Sequence, residues 1–200
     1  KNTLAACYAG SVRSDRFYSA ARKFESCIAA SLSSDNVPVE VYDNLIDSVH
    51  ANLNKLGDYL KIRKKALGLS RLHMYDLYTP IVNMPAKKYA YEEGKKIVLA
   101  ALAPMGKEYT DKIKKAYTDG WIDVRENQGK TSGAYSWGCY LSHPYVLLNW
   151  QGSVNDVFTL AHELGHAMHS YYSNKTQPYV KSGYKIFVAE VASTVNENLL

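Results

Sequence analysis

The sequence predicts a mainly α-helical domain with one small antiparallel β-hairpin, and three observations predict it. Apolar residues recur every three or four positions through most of residues 1–126, which is the helical period. Residues 127–150 (NQGKTSGAYSWGCYLSHPYVLLNW) break that period with Gly129, Gly133 and Gly138, and are rich in Tyr, Trp, Val and Leu. The helical pattern returns over 153–172 and again from Tyr184 to Leu200.

Taken in order, Ser14 or Asp15 is the expected cap of a first helix with Phe17, Ala21, Phe24 and Ile28 on one face. Residues 33–38 (SSDNVP) break the pattern, and Pro38 suits the first turn of the next helix. Val41, Leu45, Val49, Leu53, Leu56 and Leu60 mark the stripe of one long helix stopping at Gly68. Residues 70–90, punctuated by Pro80 and Pro85, are predicted irregular, and helices are predicted over 91–103 and 104–119, the second starting at Pro104. The hairpin strands fall near 134–140 and 145–150, joined by LSHP. Ser153 and Asp156, three apart, resemble a capping box that opens a helix over 153–172. Residues 173–183 read as loop, and a last helix runs over 184–200. The whole is read as one domain, with helices over 1–126, the hairpin over 127–150 and the two final helices.

Composition narrows the function classes. A formal net charge of +5 comes from short lysine clusters that read as solvated helix faces, and no aromatic RNA-binding signature accompanies them. Cys7, Cys27 and Cys139 are odd in number and lack CxxC spacing, which argues against a disulfide framework and for a reducing compartment. No apolar run is long enough to span a membrane, and the first ten residues make too weak a signal peptide. A soluble cytoplasmic protein with no nucleic-acid or membrane partner is expected.

The chemistry sits in FTLAHELGHAMHSYY, residues 158–172. On an α-helix His162 and His166 lie about 40° apart and one turn apart, so two neutral imidazoles can converge on one tetrahedral zinc ion. Glu163 points beside them, where its carboxylate can take a proton from a metal-activated water. Phe158, Leu160, Ala161, Leu164, Ala167 and Met168 make the helix apolar nearly all round and so buried, and polar groups buried there need partners. Gly165 permits another chain segment to approach closely behind the metal face.

A third ligand is needed downstream. Glu190, in apolar IFVAEVAST, is favoured; Glu197 lies two turns further on a similar face but in a polar setting. His169, one turn past His166, reads better as a hydrogen-bonding neighbour of the ligands than as a ligand. Glu190, Ser193 and Asn196 could supply hydrogen bonds that orient the imidazoles. His143, before Pro144, reads as a turn residue that could alternatively reach substrate, as could Tyr135 in the first strand. His50 and His73 read as structural.

The stretches GAYSWGCYLSHPYVLLNW, FTLAHELGHAMHS and FVAEVASTVNE, with LHMYDLYTP and WIDVRENQGKTSGAYS, resemble the oligoendopeptidase F enzymes of the thimet-oligopeptidase-like zinc metallopeptidase family. The resemblance implies a multi-helical, zincin-like catalytic domain with a channel for short unfolded peptides. It implies one zinc ion held by His162, His166 and Glu190, with Glu163 as general base and proton shuttle. It also implies that the 134–140 strand borders the cleft, where an extended peptide could add as a strand. The sequence departs from the family at Thr131, where a basic residue is expected, and in length. Enzymes of this kind are much longer and carry their oxyanion-stabilising tyrosine and histidine groups in a following segment. Each missing donor costs about 10²–10³-fold in rate, so these 200 residues are expected to be a metal-competent part of the catalytic domain, weak or inactive alone. The leading expectation is a zinc endopeptidase acting on oligopeptides. The alternatives are a helical metallocarboxypeptidase and a peptide-binding module that keeps zinc only for stability.

Overall fold

A computed structural model describes residues 1–82 and 87–200. Helix makes up 64% of it, beside one small three-stranded sheet, so the mainly α expectation holds. Pro85 lies outside the described residues. The chain divides into two compact units, Lys1–Met84 and Pro85–Leu200.

The first unit contains α1 (Asn2–Ala21), α2 (Cys27–Ser33), α3 (Val39–Ala51) and α4 (Leu53–Ala66), then a 3-10 turn over Met74–Tyr78. Three expectations are corrected here. Ser14 and Asp15 do not cap a helix but lie inside α1, because the alanine-containing segment before them carries the helix back to Asn2. The helix ends at Ala21 and Lys23 turns left-handed (φ 61°), so Phe24 and Ile28 leave its face. The cap of α2 is Ser26, whose Oγ accepts from the Ala29 N–H at 3.0 Å. The long helix is also two helices, broken at Asn52. There the side chain donates to the Ser48 carbonyl at 2.8 Å and competes with the backbone ladder. The predicted stop at Gly68 stands, with φ 65° just past α4. The apolar stripe of α3 and α4 is largely exposed, from Val41 to Leu56. Arg63 is the buried anchor of this unit: its guanidinium donates to the carbonyls of Asp76 and Thr79, tying α4 to the 3-10 turn. His73 caps that turn through a reciprocal pair with Asp76, a structural role as read.

The second unit contains α5 (Tyr91–Ala101), a 3-10 turn (Ala103–Met105) holding Pro104, and α6 (Lys107–Thr118). Three short strands follow: β1 (Ile122–Asp123), β2 (Tyr135–Trp137) and β3 (Tyr145–Leu147). The predicted hairpin forms, with Tyr135 opposite Leu147 and Trp137 opposite Tyr145, though its strands are shorter than expected. Residues 1–126 are not wholly helical, however. Strand β1 pairs in parallel with β3, giving a mixed sheet of order β1-β3-β2 in which β2 is an edge. Two residues are too few to carry a period of their own, so β1 left no pattern to read.

Helix α7 (Val154–Thr176) opens on the expected capping box: Ser153 Oγ accepts from the Asp156 N–H, and the Asp156 carboxylate accepts from the Ser153 N–H. It runs one turn beyond Tyr172, into the predicted loop. Leu160, Ala161, Leu164, Ala167 and Met168 are wholly buried, forming the core with Val98, Leu102, Ile113, Val146 and Leu148. Phe158 departs from the expected burial and is 39% exposed.

Helix α8 (Ile186–Leu199) packs against α7 at Gly165. A Cβ there would stand 2.6 Å from both the Ala192 carbonyl oxygen and Ser193 Cα, so the expected close approach is present. Fully buried Asn196 pins the pair: its Nδ2 donates to the Ala161 carbonyl at 2.9 Å and its Oδ1 accepts from the Tyr109 hydroxyl at 2.9 Å. Because backbone, not a flexible side chain, blocks position 165, Gly165→Ala is expected to destabilise the fold by about 1–3 kcal/mol. Gly57→Ala, inside α4 with nothing within 4 Å, is expected instead to stabilise by about 0.5–1 kcal/mol. Urea unfolding followed by circular dichroism checks the opposite signs.

Candidate metal centre and active site

On α7, His162 and His166 project on one face, and the α7–α8 contact brings Glu190 to them. The two Nε2 atoms are 3.1 Å apart, and Glu190 Oε2 lies 3.5 Å from His162 Nε2 and 3.4 Å from His166 Nε2. These three residues form a group whose ligand-type atoms all converge. Zinc bonds of about 2.0–2.2 Å at tetrahedral angles put ligand atoms about 3.3 Å apart, close to this triangle.

The protonation pattern fits a cation as well. Glu197 accepts a hydrogen bond from His162 Nδ1, the partner that selects the tautomer in which Nε2 is the ligating nitrogen. Burial, partly opposed by Glu190, pushes the His166 pKa below the usual histidine range, which favours the neutral ring. Two imidazole nitrogens and a carboxylate oxygen thus face one point, a donor set that suits a divalent cation.

Glu163 is next to this group and only 6% exposed. Burial raises its pKa to about 7; His162 pulls it down and Glu190 pushes it up. Its Oε2 is buried with no hydrogen-bond partner among the described residues. An orphaned carboxylate oxygen costs free energy, and such groups concentrate at functional sites.

The neighbours fall into place differently from expectation. Ser193 Oγ donates to Glu190 Oε2 at 2.9 Å, so it orients the carboxylate, not an imidazole. Asn196 reaches neither imidazole, being spent on Ala161 and Tyr109. Glu197, considered as an alternative third ligand, holds the far side of His162. His169 stacks on Tyr184 at 3.7 Å, with Nδ1 buried and unpartnered among the described residues, and is not one of the three converging groups. His143 Nδ1 bonds the Pro144 carbonyl at 2.8 Å and its ring stacks on Trp121. Tyr135 is half exposed on β2.

A cavity of about 340 Å³ opens beside His162 and Glu163, lined also by Ala134, Asn155, Phe158, Thr159 and Glu197. Asn155, Phe158 and Thr159 were missed by the sequence reading. They lie seven, four and three residues before His162, a helical spacing that could have found them.

Peptidase family M3 matches residues 1–200. The chain is 50% identical to oligopeptidase PepF of Bacillus subtilis strain 168 over all of its length and 30% of that protein's. It is 46% identical to the chromosomal oligoendopeptidase F of Lactococcus lactis subsp. cremoris, again over the full chain and 33% of the relative. Among solved structures it resembles one from Chlamydophila abortus, with TM-score 0.86, 45% identity, and 98% of this chain and 33% of that one covered. It also resembles oligoendopeptidase F from Enterococcus faecium, with TM-score 0.60, 33% identity, and coverage of 99% and 27%. The chain therefore belongs to peptidase family M3, a family of metallopeptidases. It spans about a third of the length of these relatives.

If the converging atoms hold a divalent ion, the unmodified chain takes up one per molecule, and Glu190→Ala takes up none at the same concentration. Glu197→Gln should weaken uptake by about 10–100-fold by loosening His162. Equilibrium dialysis with atomic-emission readout checks both.

Proposed function

We propose that this chain carries the metal-binding and water-activating part of a zinc endopeptidase that hydrolyses oligopeptides. His162, His166 and Glu190 would hold a single Zn²⁺, and Glu163 would be the general base. The observation that carries the reading is the pairing of three lone-pair atoms at 3.1–3.5 Å with an orphaned, buried carboxylate beside them. A purely structural site has no use for that carboxylate, which sets the peptide-binding-only reading behind this one. When bound, the ion supplies Lewis acidity and lowers the pKa of water in contact with it.

The chain's own residues do the rest. Glu163 takes a proton from the attacking water as it adds to the scissile carbonyl carbon, then delivers it to the leaving amine nitrogen. Its raised pKa suits both tasks near neutrality, since a carboxylate at the ordinary value would be too weak a base to take the proton readily. Glu197 and Ser193 keep His162 and Glu190 aimed through these steps. The outer edge of β2 is unpaired within the sheet, and Tyr135 stands on it, so an extended substrate can add there as a strand. The names of the relatives support oligopeptides as the substrate class. Exposed, unpaired Cys7, Cys27 and Cys139 support a cytoplasmic setting.

Glu163→Gln is nearly isosteric and removes the base alone. Zinc content should stay at one per chain while peptide cleavage falls at least about 10²-fold. Inductively coupled plasma measurement paired with mass-spectrometric product analysis reads both. Equal cleavage by the variant would remove Glu163 from the mechanism.

A further inference from the structure

Beside the cavity that opens on His162 and Glu163 lies a second depression of about 190 Å³, toward the first turns of α7. The two share Ala134, Asn155 and Thr159 in their walls, so they adjoin at these residues. Asn155 and Thr159 project from the same helical face as His162, at spacings of seven and three. Asn155 is exposed and Thr159 half-buried, and neither side chain makes a hydrogen bond among the described residues. At the far end the wall includes Asn149. Its Nδ2 donates to the Thr131 and Gly133 carbonyls at 2.9 and 2.8 Å, which fixes the amide's orientation and leaves Oδ1 buried and unpartnered. The shared wall therefore carries two uncommitted hydrogen-bonding side chains, Asn155 and Thr159, beside the candidate reacting centre. Phe158, on the adjacent flank, supplies the apolar surface that a substrate side chain needs.

We propose that Asn155 and Thr159 are substrate-positioning residues that hydrogen-bond the main chain of a peptide laid along the N-terminal half of α7. The inference rests on the peptide-hydrolase reading above, which lays the peptide along β2, and adds the groups α7 offers it beside Ala134. An amide side chain and a hydroxyl can each donate or accept, so they suit alternating backbone N–H and C=O groups and set no side-chain preference. Specificity for residue type then falls to Phe158.

The test uses binding, with zinc-loaded chain carrying Glu163→Gln so that peptide is not consumed. The probe is a capped alanine–glycine heptapeptide with one phenylalanine, together with its singly N-methylated forms, titrated by calorimetry. Asn155→Ala and Thr159→Val, both at positions outside the wholly buried core, should each weaken binding by about threefold to tenfold with zinc content unchanged. One N-methylated form should bind the parent more weakly and be insensitive to Thr159→Val, since the shared hydrogen bond is already gone. A fold defect would lower zinc content and affect every peptide alike, so it reads differently. Peptide binding that neither substitution alters overturns the inference and leaves the peptidase reading standing. Zinc bound normally with no peptide binding at all overturns both.

Discussion

The close crossing of α7 and α8 at Gly165 is the constraint on which the site depends. With 2.6 Å between a would-be Cβ and the backbone of Ala192 and Ser193, the two helices approach too closely to admit any side chain at position 165. That approach sets Glu190 within 3.5 Å of both imidazoles and Glu197 against the far nitrogen of His162. A side chain at 165 would push α8 outward and move both carboxylates together. The convergence of Glu190 on the two imidazoles and the contact of Glu197 with His162 therefore share one geometric origin.

Rigidity around the crossing comes from polar clamps set in an apolar core. Asn196 ties α8 to α7 and α6 at a fully buried position, where a lost hydrogen bond would cost more than in water. Ser193 stands one turn earlier and fixes the Glu190 carboxylate. The two residues divide the labour: one holds the helix, the other holds the Glu190 carboxylate. Neither touches an imidazole, so their effect on any bound ion passes through Glu190 and the helix axis.

The part of this arrangement that follows from a single helix was legible in the sequence. His162, Glu163 and His166 share one helical face by spacing alone, and Ser153 with Asp156 announces where that helix begins. What crosses between helices was less legible. Glu190 and Glu197 sit two turns apart on one face of α8, and spacing cannot say which reaches Nε2 and which Nδ1; packing against Gly165 decides it. Strand β1 was illegible because two residues owe their conformation to β3 alone. In the first unit, periodicity suggested one long helix because the apolar stripe ignores Asn52, whose side chain ends the ladder locally. That stripe is mostly exposed, so periodicity located an amphipathic face without saying what covers it.

The most direct test of the account is the position and ligand set of zinc in the loaded chain, by anomalous diffraction at the zinc edge. The account predicts one peak per chain, between His162 Nε2, His166 Nε2 and Glu190 Oε2, with Glu163 and Glu197 outside the ligand set. A peak held instead by Glu197, His169 or His143, or none at these three residues in zinc-saturated crystals, would contradict it.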